Sequence, residues 1–288
     1  MSDLDQFIDR ADRLLGRIEG LLSLTAAEPD WNSHIAFRWR KQFQRGYLRP
    51  VRYPHALSLN DLRQIDRQKA ELDRNTRQFL AGLPSNNALL WGARGTGKSS
   101  LIKALLNTYA DRGLRLIEVE REELVELPDI VEVLYERPER FMIFCDDLSF
   151  EADDASYKAL KAILDGSVST APDNVILYAT SNRRHLLPEY MSENQATRIV
   201  DGELHHGEAV EEKISLSERF GLWLSFHPFS QDDYLSVVAY WLKNLRDTNQ
   251  LDEETRAAAL RWALTRGSRS GRVAWQFARD WVGRHGRF

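Results

Sequence analysis

The chain uses two hydrophobic periods. Between residues 3 and 24, apolar groups at Leu4, Phe7, Ile8, Leu14, Leu15, Ile18, Leu21 and Leu22 recur at helical spacing with polar residues between them. This predicts an amphipathic helix, interrupted by Pro29 and Asp30. After Pro50 and Pro54, residues 61–82 read as a second helix, closed by Gly82-Leu83-Pro84. Short apolar runs then take over at Ala88–Trp91, Arg115–Val119, Phe141–Cys145, Asn174–Thr180 and Leu222–His227, each predicting a strand. Phe141–Cys145 is apolar throughout, as a strand covered on both faces requires. Helical stretches lie between them: one from Ser100, one carrying Leu124, Leu127, Ile130, Val131 and Leu134, and one from Ala155 to Asp165 that Gly166 stops. Strands alternating with helices predict an α/β unit with a parallel sheet of five strands.

From Ser230 onward only the helical period remains. Tyr234, Leu235, Val238, Trp241 and Leu242 share one helix, Ala258, Leu260, Trp262 and Leu264 a second, and Val273, Trp275, Phe277 and Trp281 a third. The expected division is therefore an N-terminal extension over 1–55, an α/β unit over 56–229 and an all-helical unit over 230–288. The stretch from Glu189 to Ser217 breaks the rhythm, being polar and mostly acidic. His205 and His206 there could ligate a metal, but no second half of a ligand spacing accompanies them, so a solvated loop is expected.

Composition adds limits. With 288 residues, 43% of them hydrophobic, and eight Trp, the chain can build a real core. A net charge of −4 gives no global case for nucleic-acid or membrane binding. The single cysteine, Cys145, excludes an internal disulfide and suits a reducing compartment. No apolar run approaches the ~20 residues that span a bilayer, and the acidic start MSDLDQFIDRADRLL has no signal-peptide core. A soluble, cytoplasmic protein without a membrane partner is the expectation. The charge is nevertheless uneven. Arg38, Arg40, Lys41, Arg45, Arg49 and Arg52 stand together without an acid, interleaved with Trp39, Phe43, Tyr47 and Tyr53. Such a strip could track a nucleic-acid backbone, or pack its aromatics on the main unit while its cations stay in water. The acidity of the whole favours packing.

The chemistry concentrates after the first predicted strand. Gly92-Ala93-Arg94-Gly95-Thr96-Gly97-Lys98-Ser99, followed by Ser100, fits G-x-x-x-x-G-K-[ST], the phosphate-binding loop or Walker A motif, with a strand before it and a helix after it. Its glycines allow successive N–H groups to face one phosphate, and the helix start adds its positive end. Lys98 would reach the β- and γ-phosphates, and the Ser99 hydroxyl would ligate Mg²⁺. Asp146 and Asp147 follow the third strand in a Walker B arrangement. Asp146 is placed to hold Mg²⁺ and Asp147 to polarise the attacking water.

This order of parts resembles the AAA+ superfamily of P-loop ATPases over residues 56–288. The runs NNALLWGARGTGKSSL, FCDDLSFE and EEKISLSERFGLWLSF look like a bacterial AAA+ group of unassigned cellular function. The resemblance implies a P-loop NTPase fold: a three-layer αβα core with a five-stranded parallel sheet, a C-terminal all-helical lid and an N-terminal helical extension. It also implies further site residues. Asn182, ending the strand after Walker B, matches sensor 1. Arg219 in Leu216-Ser217-Glu218-Arg219-Phe220-Gly221 matches the arginine finger that reaches a neighbour's ATP. Arg272, with Arg269 as the other candidate, matches sensor 2 in the lid. Ile65 and its neighbours fall near the adenine. The implied activity is hydrolysis of Mg-ATP to ADP and phosphate in a homo-oligomeric ring, such as a hexamer, that remodels a protein or nucleic-acid client. One residue departs from the pattern: Asp147 stands where the family usually has Glu, with Glu151 four residues on as a possible substitute. That departure favours an alternative, an ATP-binding switch or scaffold with slow hydrolysis that loads or assembles a partner complex. A small-molecule kinase would share the loop, but the helical C-terminal unit and Arg219 argue against it.

Overall fold

The computed structural model describes residue 10 and residues 29–42, 45–150, 154–165, 172–184, 186, 198–200, 203–205, 216–246 and 251–285. Apart from Arg10, which is helical, the helix expected over residues 3–24 lies outside the described residues, as do Glu151, Gly166 and most of the stretch from 189 to 217. The strands are β1 (Ala36–Gln42), β2 (Arg45–Pro50), β3 (Ala88–Gly92), β4 (Leu114–Glu118), β5 (Arg140–Cys145), β6 (Val175–Ser181), β7 (Arg198–Val200), β8 (Glu203–His205) and β9 (Leu222–Phe226). The helices are α1 (Asp66–Leu80), α2 (Lys98–Tyr109), α3 (Leu127–Leu134), α4 (Ala155–Leu164), α5 (Gln231–Arg246), α6 (Glu253–Arg266) and α7 (Gly271–His285).

One sheet organises these elements, in the order β2-β1-β4-β5-β6-β3-β9. The five expected strands are β3, β4, β5, β6 and β9, and they pair in parallel. Strand β5 shows why the sheet must be covered twice. Phe141, Ile143 and Cys145 belong to the cluster beneath α3 and α4, while Met142 and Phe144 face the cluster shared by α1, α2 and the C-terminal helices. Alternate residues of one strand thus feed two separate cores, giving three layers. The C-terminal ends of β3, β5 and β6 lie side by side, which is where open α/β sheets hold ligands.

The expected count of five strands needs correction. Residues 36–50 are a β-hairpin that lengthens the sheet to seven strands: β1 runs parallel to β4, and β2 antiparallel to β1. The alternation Phe37, Arg38, Trp39, Arg40 is a period of two, and only one side of it is apolar enough to bury. Phe37 and Leu48 are buried, each a gain of about 2 kcal/mol, and Trp39 is buried beside them. The cations remain at the surface and pair with carboxylates: Arg38 with Glu118 at 2.5 Å, Arg40 with Glu120 at 2.6 Å and with Glu123 at 3.4 Å, and Lys41 with Glu126. Exposed pairs of this kind contribute about 0–1 kcal/mol each, so the apolar side decides where the hairpin lies. Trp39 is held at both ends of its ring, since its Nε1–H also donates to Glu126 at 2.8 Å.

A smaller difference lies in the segment expected to be a loop, where β7 and β8 pair antiparallel. Ile199-Val200 before Asp201-Gly202 is a β-branched pair leading into a turn sequence, enough for a short ladder. Helices α5, α6 and α7 follow β9 as expected. Their buried Tyr234, Val238, Ala259, Val273, Ala274 and Phe277 share one cluster with α1 and α2.

Candidate functional site

The loop after β3 is shaped by two glycines with no alternative. At Gly92, with φ +128°, a Cβ would lie 2.0 Å from the Phe226 carbonyl oxygen, so only glycine lets the loop leave the sheet beside β9. At Gly95, with φ +76°, a Cβ would meet Ser270 Oγ at 2.8 Å and Arg272 Cβ at 3.1 Å. That absent methyl is what lets the start of α7 touch the loop, where the Arg272 N–H donates to the Gly95 carbonyl at 3.1 Å. The C-terminal helices are therefore tied to the loop by backbone.

Helix α2 begins at Lys98, so its unpaired N–H groups face the loop's concavity. The Lys98 ammonium donates to the Gly92 and Ala93 carbonyls, both at 2.8 Å, and to Asn182 Oδ1 at 3.2 Å. Burial pushes its pKa below the ordinary lysine value; Asp147 and Asp146 pull the other way, and Arg272 and Arg94 add to the lowering. A lysine in this state gains from an anion that replaces carbonyl dipoles with full negative charge.

Across the loop the acids are held by hydroxyls. Asp146 Oδ1 accepts from Ser99 Oγ and from Thr180 Oγ1, each at 2.6 Å. The Asp147 N–H donates to Thr180 Oγ1 at 2.9 Å, and Asn182 Nδ2 donates to Asp147 Oδ1. Asp147 sits at φ +54°, in the left-handed region that Asp tolerates better than most residues. Ser99 and Asp146 place two hard oxygens together at the cavity floor, a set that fits Mg²⁺, which prefers oxygen and keeps much of its water. Among the described residues no group of three or more His, Cys, Asp and Glu is placed to hold a metal ion. His206 of the other metal candidate lies outside the described residues.

These groups open into one cavity of about 820 Å³. Arg94, Gly95, Thr96, Gly97, Lys98, Ser99, Ser100, Asp146, Asp147, Asn182, Ile65 and Arg272 all line it. Gly92 and Ala93 do not, and take part through their carbonyls. Arg269 stays out of the lining, its carbonyl accepting from the Phe229 N–H at 3.0 Å. Arg219 is likewise outside the lining and pairs with Asp165 at the end of α4. Residues that no motif pointed to complete the walls: Thr180, Lys103, Arg63 and His55, with Trp241 and Trp275 from α5 and α7. The two indoles touch with centroids 4.5 Å apart. Both were legible as apolar positions of amphipathic helices, but their convergence on the loop is a tertiary fact. At this end the cavity is flat and aromatic, and at the loop end it is cationic.

A family model described as "Protein of unknown function (DUF815)" matches residues 32–285. No curated protein matches the chain. Among solved structures, the Thermotoga maritima RuvB Holliday junction branch migration motor aligns with a TM-score of 0.50 at 17% identity, over 78% of this chain and 65% of that one. The Aeropyrum pernix ORC1 protein in complex with DNA aligns with a TM-score of 0.51 at 16% identity, over 78% of this chain and 62% of that one. Replication initiator DnaA bound to AMPPCP and single-stranded DNA aligns with a TM-score of 0.53 at 14% identity, over 82% and 67%. The chain spans less than two thirds of the length of the first two. At these identities the likeness is one of fold, and the fold is that of the AAA+ P-loop proteins.

Proposed function

We propose that this chain, which belongs to the family described as "Protein of unknown function (DUF815)", is an ATPase that hydrolyses Mg-ATP to ADP and phosphate. The observation that carries the reading is one hydrogen-bonded set at the cavity floor: Lys98, Ser99, Asp146, Asp147 and Asn182, joined through Thr180 and drawn from two strand ends and a helix start. The loop's N–H groups, Lys98, Arg94 and Arg272 supply positive charge for a triphosphate, while Ile65, Trp241 and Trp275 supply apolar and aromatic surface for a base. Ser99 and Asp146 would hold Mg²⁺, which neutralises phosphate charge when bound. Asp147 accepts a proton from the attacking water, with Asn182 fixing the direction of its carboxylate.

Arg219 is proposed to act in trans, on the nucleotide of a neighbouring copy in an oligomeric ring, because its own chain's cavity does not include it. The reading extends to a protein or nucleic-acid client remodelled by the ring. AMPPCP in the similar DnaA structure supports an adenine nucleotide in a cavity of this fold. One observation favours a second reading, the ATP-dependent switch with slow hydrolysis: Asp147 is a methylene shorter than the usual Glu. ATP turnover against protein concentration, with and without DNA, RNA or an unfolded protein, separates the two. Turnover rising steeply with concentration supports shared sites; tight binding with almost no turnover under every condition selects the switch.

A further inference from the structure

Asp146 and Asp147 leave β5 at a sharp turn, and the same residue of the neighbouring strand grips that turn three times. The Thr180 hydroxyl donates to Asp146 Oδ1 at 2.6 Å and accepts from the Asp147 N–H at 2.9 Å. The Thr180 carbonyl accepts from the Leu148 N–H at 2.7 Å. Thr180 is 1% exposed, so no water competes for the hydroxyl. Its one proton is committed to Asp146, and that orientation leaves a lone pair for the Asp147 N–H. One hydroxyl therefore couples the carboxylate that meets Ser99 to the backbone that aims the second carboxylate. The Asp147 backbone needs such a hold, because left-handed φ is costly outside glycine. With its main chain rotated there, the short Asp147 side chain reaches Asn182.

We propose that Thr180 is a positioning residue that sets both acids at once, and that this hold is how the site works with an Asp in the second position. The inference rests on the ATPase reading above. A residue of this kind moves turnover and metal dependence by about 10- to 100-fold through the groups it holds.

The test compares Thr180→Val, which keeps the shape and loses the hydroxyl, with Thr180→Ser, which keeps the hydroxyl. In Thr180→Val, kcat for ATP falls by about 10- to 100-fold while KM changes little. The gain in ADP affinity on adding Mg²⁺ shrinks, and affinity in EDTA stays that of the wild type. Thr180→Ser restores both kcat and the Mg²⁺ effect to within about threefold of wild type. Equal impairment in Ser and Val assigns Thr180 to packing through its methyl and overturns the proposal, as does a Val variant with wild-type kcat and Mg²⁺ response. Residue-resolved amide exchange on the unmodified protein covers the case in which Thr180→Val does not fold. The Asp147 N–H is expected to be protected like a strand amide, and exchange at the rate of an exposed loop overturns the proposal. If the wild type binds ATP and never turns it over, the ATPase reading fails while amide protection and Mg²⁺-linked ADP binding still decide the role of Thr180.

Discussion

Two parts of this molecule are rich in cations and treat them in opposite ways. On the β1–β2 hairpin, Arg38, Arg40 and Lys41 each have a carboxylate partner in the segment from Glu118 to Glu126. At the loop after β3, none of Arg94, Lys98 and Arg272 forms an ion pair among the described residues, and Lys98 is satisfied only by carbonyls and an amide. The hairpin's charges are complete in the folded chain and fasten one edge of it. The loop's charges converge on a cavity, where the proposed triphosphate would complete them. Similar composition supports a structural fastening in one place and a binding site in the other; the position of the carboxylates tells them apart.

Arg219 tests that distinction most severely, because it looks like a hairpin cation, paired with Asp165, yet is proposed to belong to the site. Arg219→Ala is expected to preserve ATP affinity and lower turnover by about 10³-fold. Normal turnover in the mutant, measured at a protein concentration where the wild type is fully active, would return Arg219 to the fastening class. On the hairpin the apolar face should matter far more than the charges. Trp39→Ala is expected to cost about 3–5 kcal/mol in denaturant unfolding, with ATP affinity of the folded fraction unchanged. A loss below 1 kcal/mol would show that the hairpin is held by its ion pairs after all.

Lys98→Ala inverts that pattern, with an expected loss of ATP affinity of at least about 100-fold, or about 2.8 kcal/mol, and little change in melting temperature. Retained affinity would remove the basis of the nucleotide reading. The lowered pKa of Lys98 also has a sign: the ammonium loses its proton at a lower pH than an ordinary lysine, so ATP affinity should decline on the alkaline side earlier than usual. Titration calorimetry across pH would show that limb, and Lys98→Arg should remove it. The smallest effect belongs to Glu126, held below its ordinary pKa chiefly by Lys41 and further by Trp39 against the opposing effect of burial. Its contribution is present above the unfolded-state pKa of about 4.3 and is lost as pH falls through the lower folded value. Glu126→Gln should flatten the acid side of the stability curve by no more than about 1 kcal/mol. An unchanged acid limb would mean that other carboxylates carry it.

The five strands around the loop were legible because strands covered on both faces form short, mostly apolar runs, as Phe141–Cys145 does throughout, which a sequence displays directly. The hairpin was legible in principle. Phe37 and Trp39 alternate with Arg38 and Arg40, but the density of cations invites a reading by charge before one by period. Thr180 could not be found that way. Its role depends on the register between β5 and β6, in which Cys145 pairs with Ala179, so the next residues, Asp146 and Thr180, come opposite. No motif contains that register. The choice between Arg269 and Arg272 is similar: α7 starts at Gly271, and of the two arginines it is Arg272, just inside the helix, that lines the cavity. The division of the chain at 55 and 229 remains a proposal, since the hairpin and β4 share a sheet.

The hairpin has one more consequence, for how this chain behaves among others. Without residues 36–50, the margin of the sheet would be β4, whose Leu114, Leu116 and Ile117 are buried and whose backbone groups on that side would lie open. A bare apolar strand of this kind recruits strands from other molecules. With the hairpin in place the outermost strand is β2, which presents Arg45 and Arg49 to solvent and ends in Pro50, a residue with no N–H to offer. The first described strands of the chain thus act as a selvedge: they finish the woven edge so that it neither frays nor catches on its neighbours.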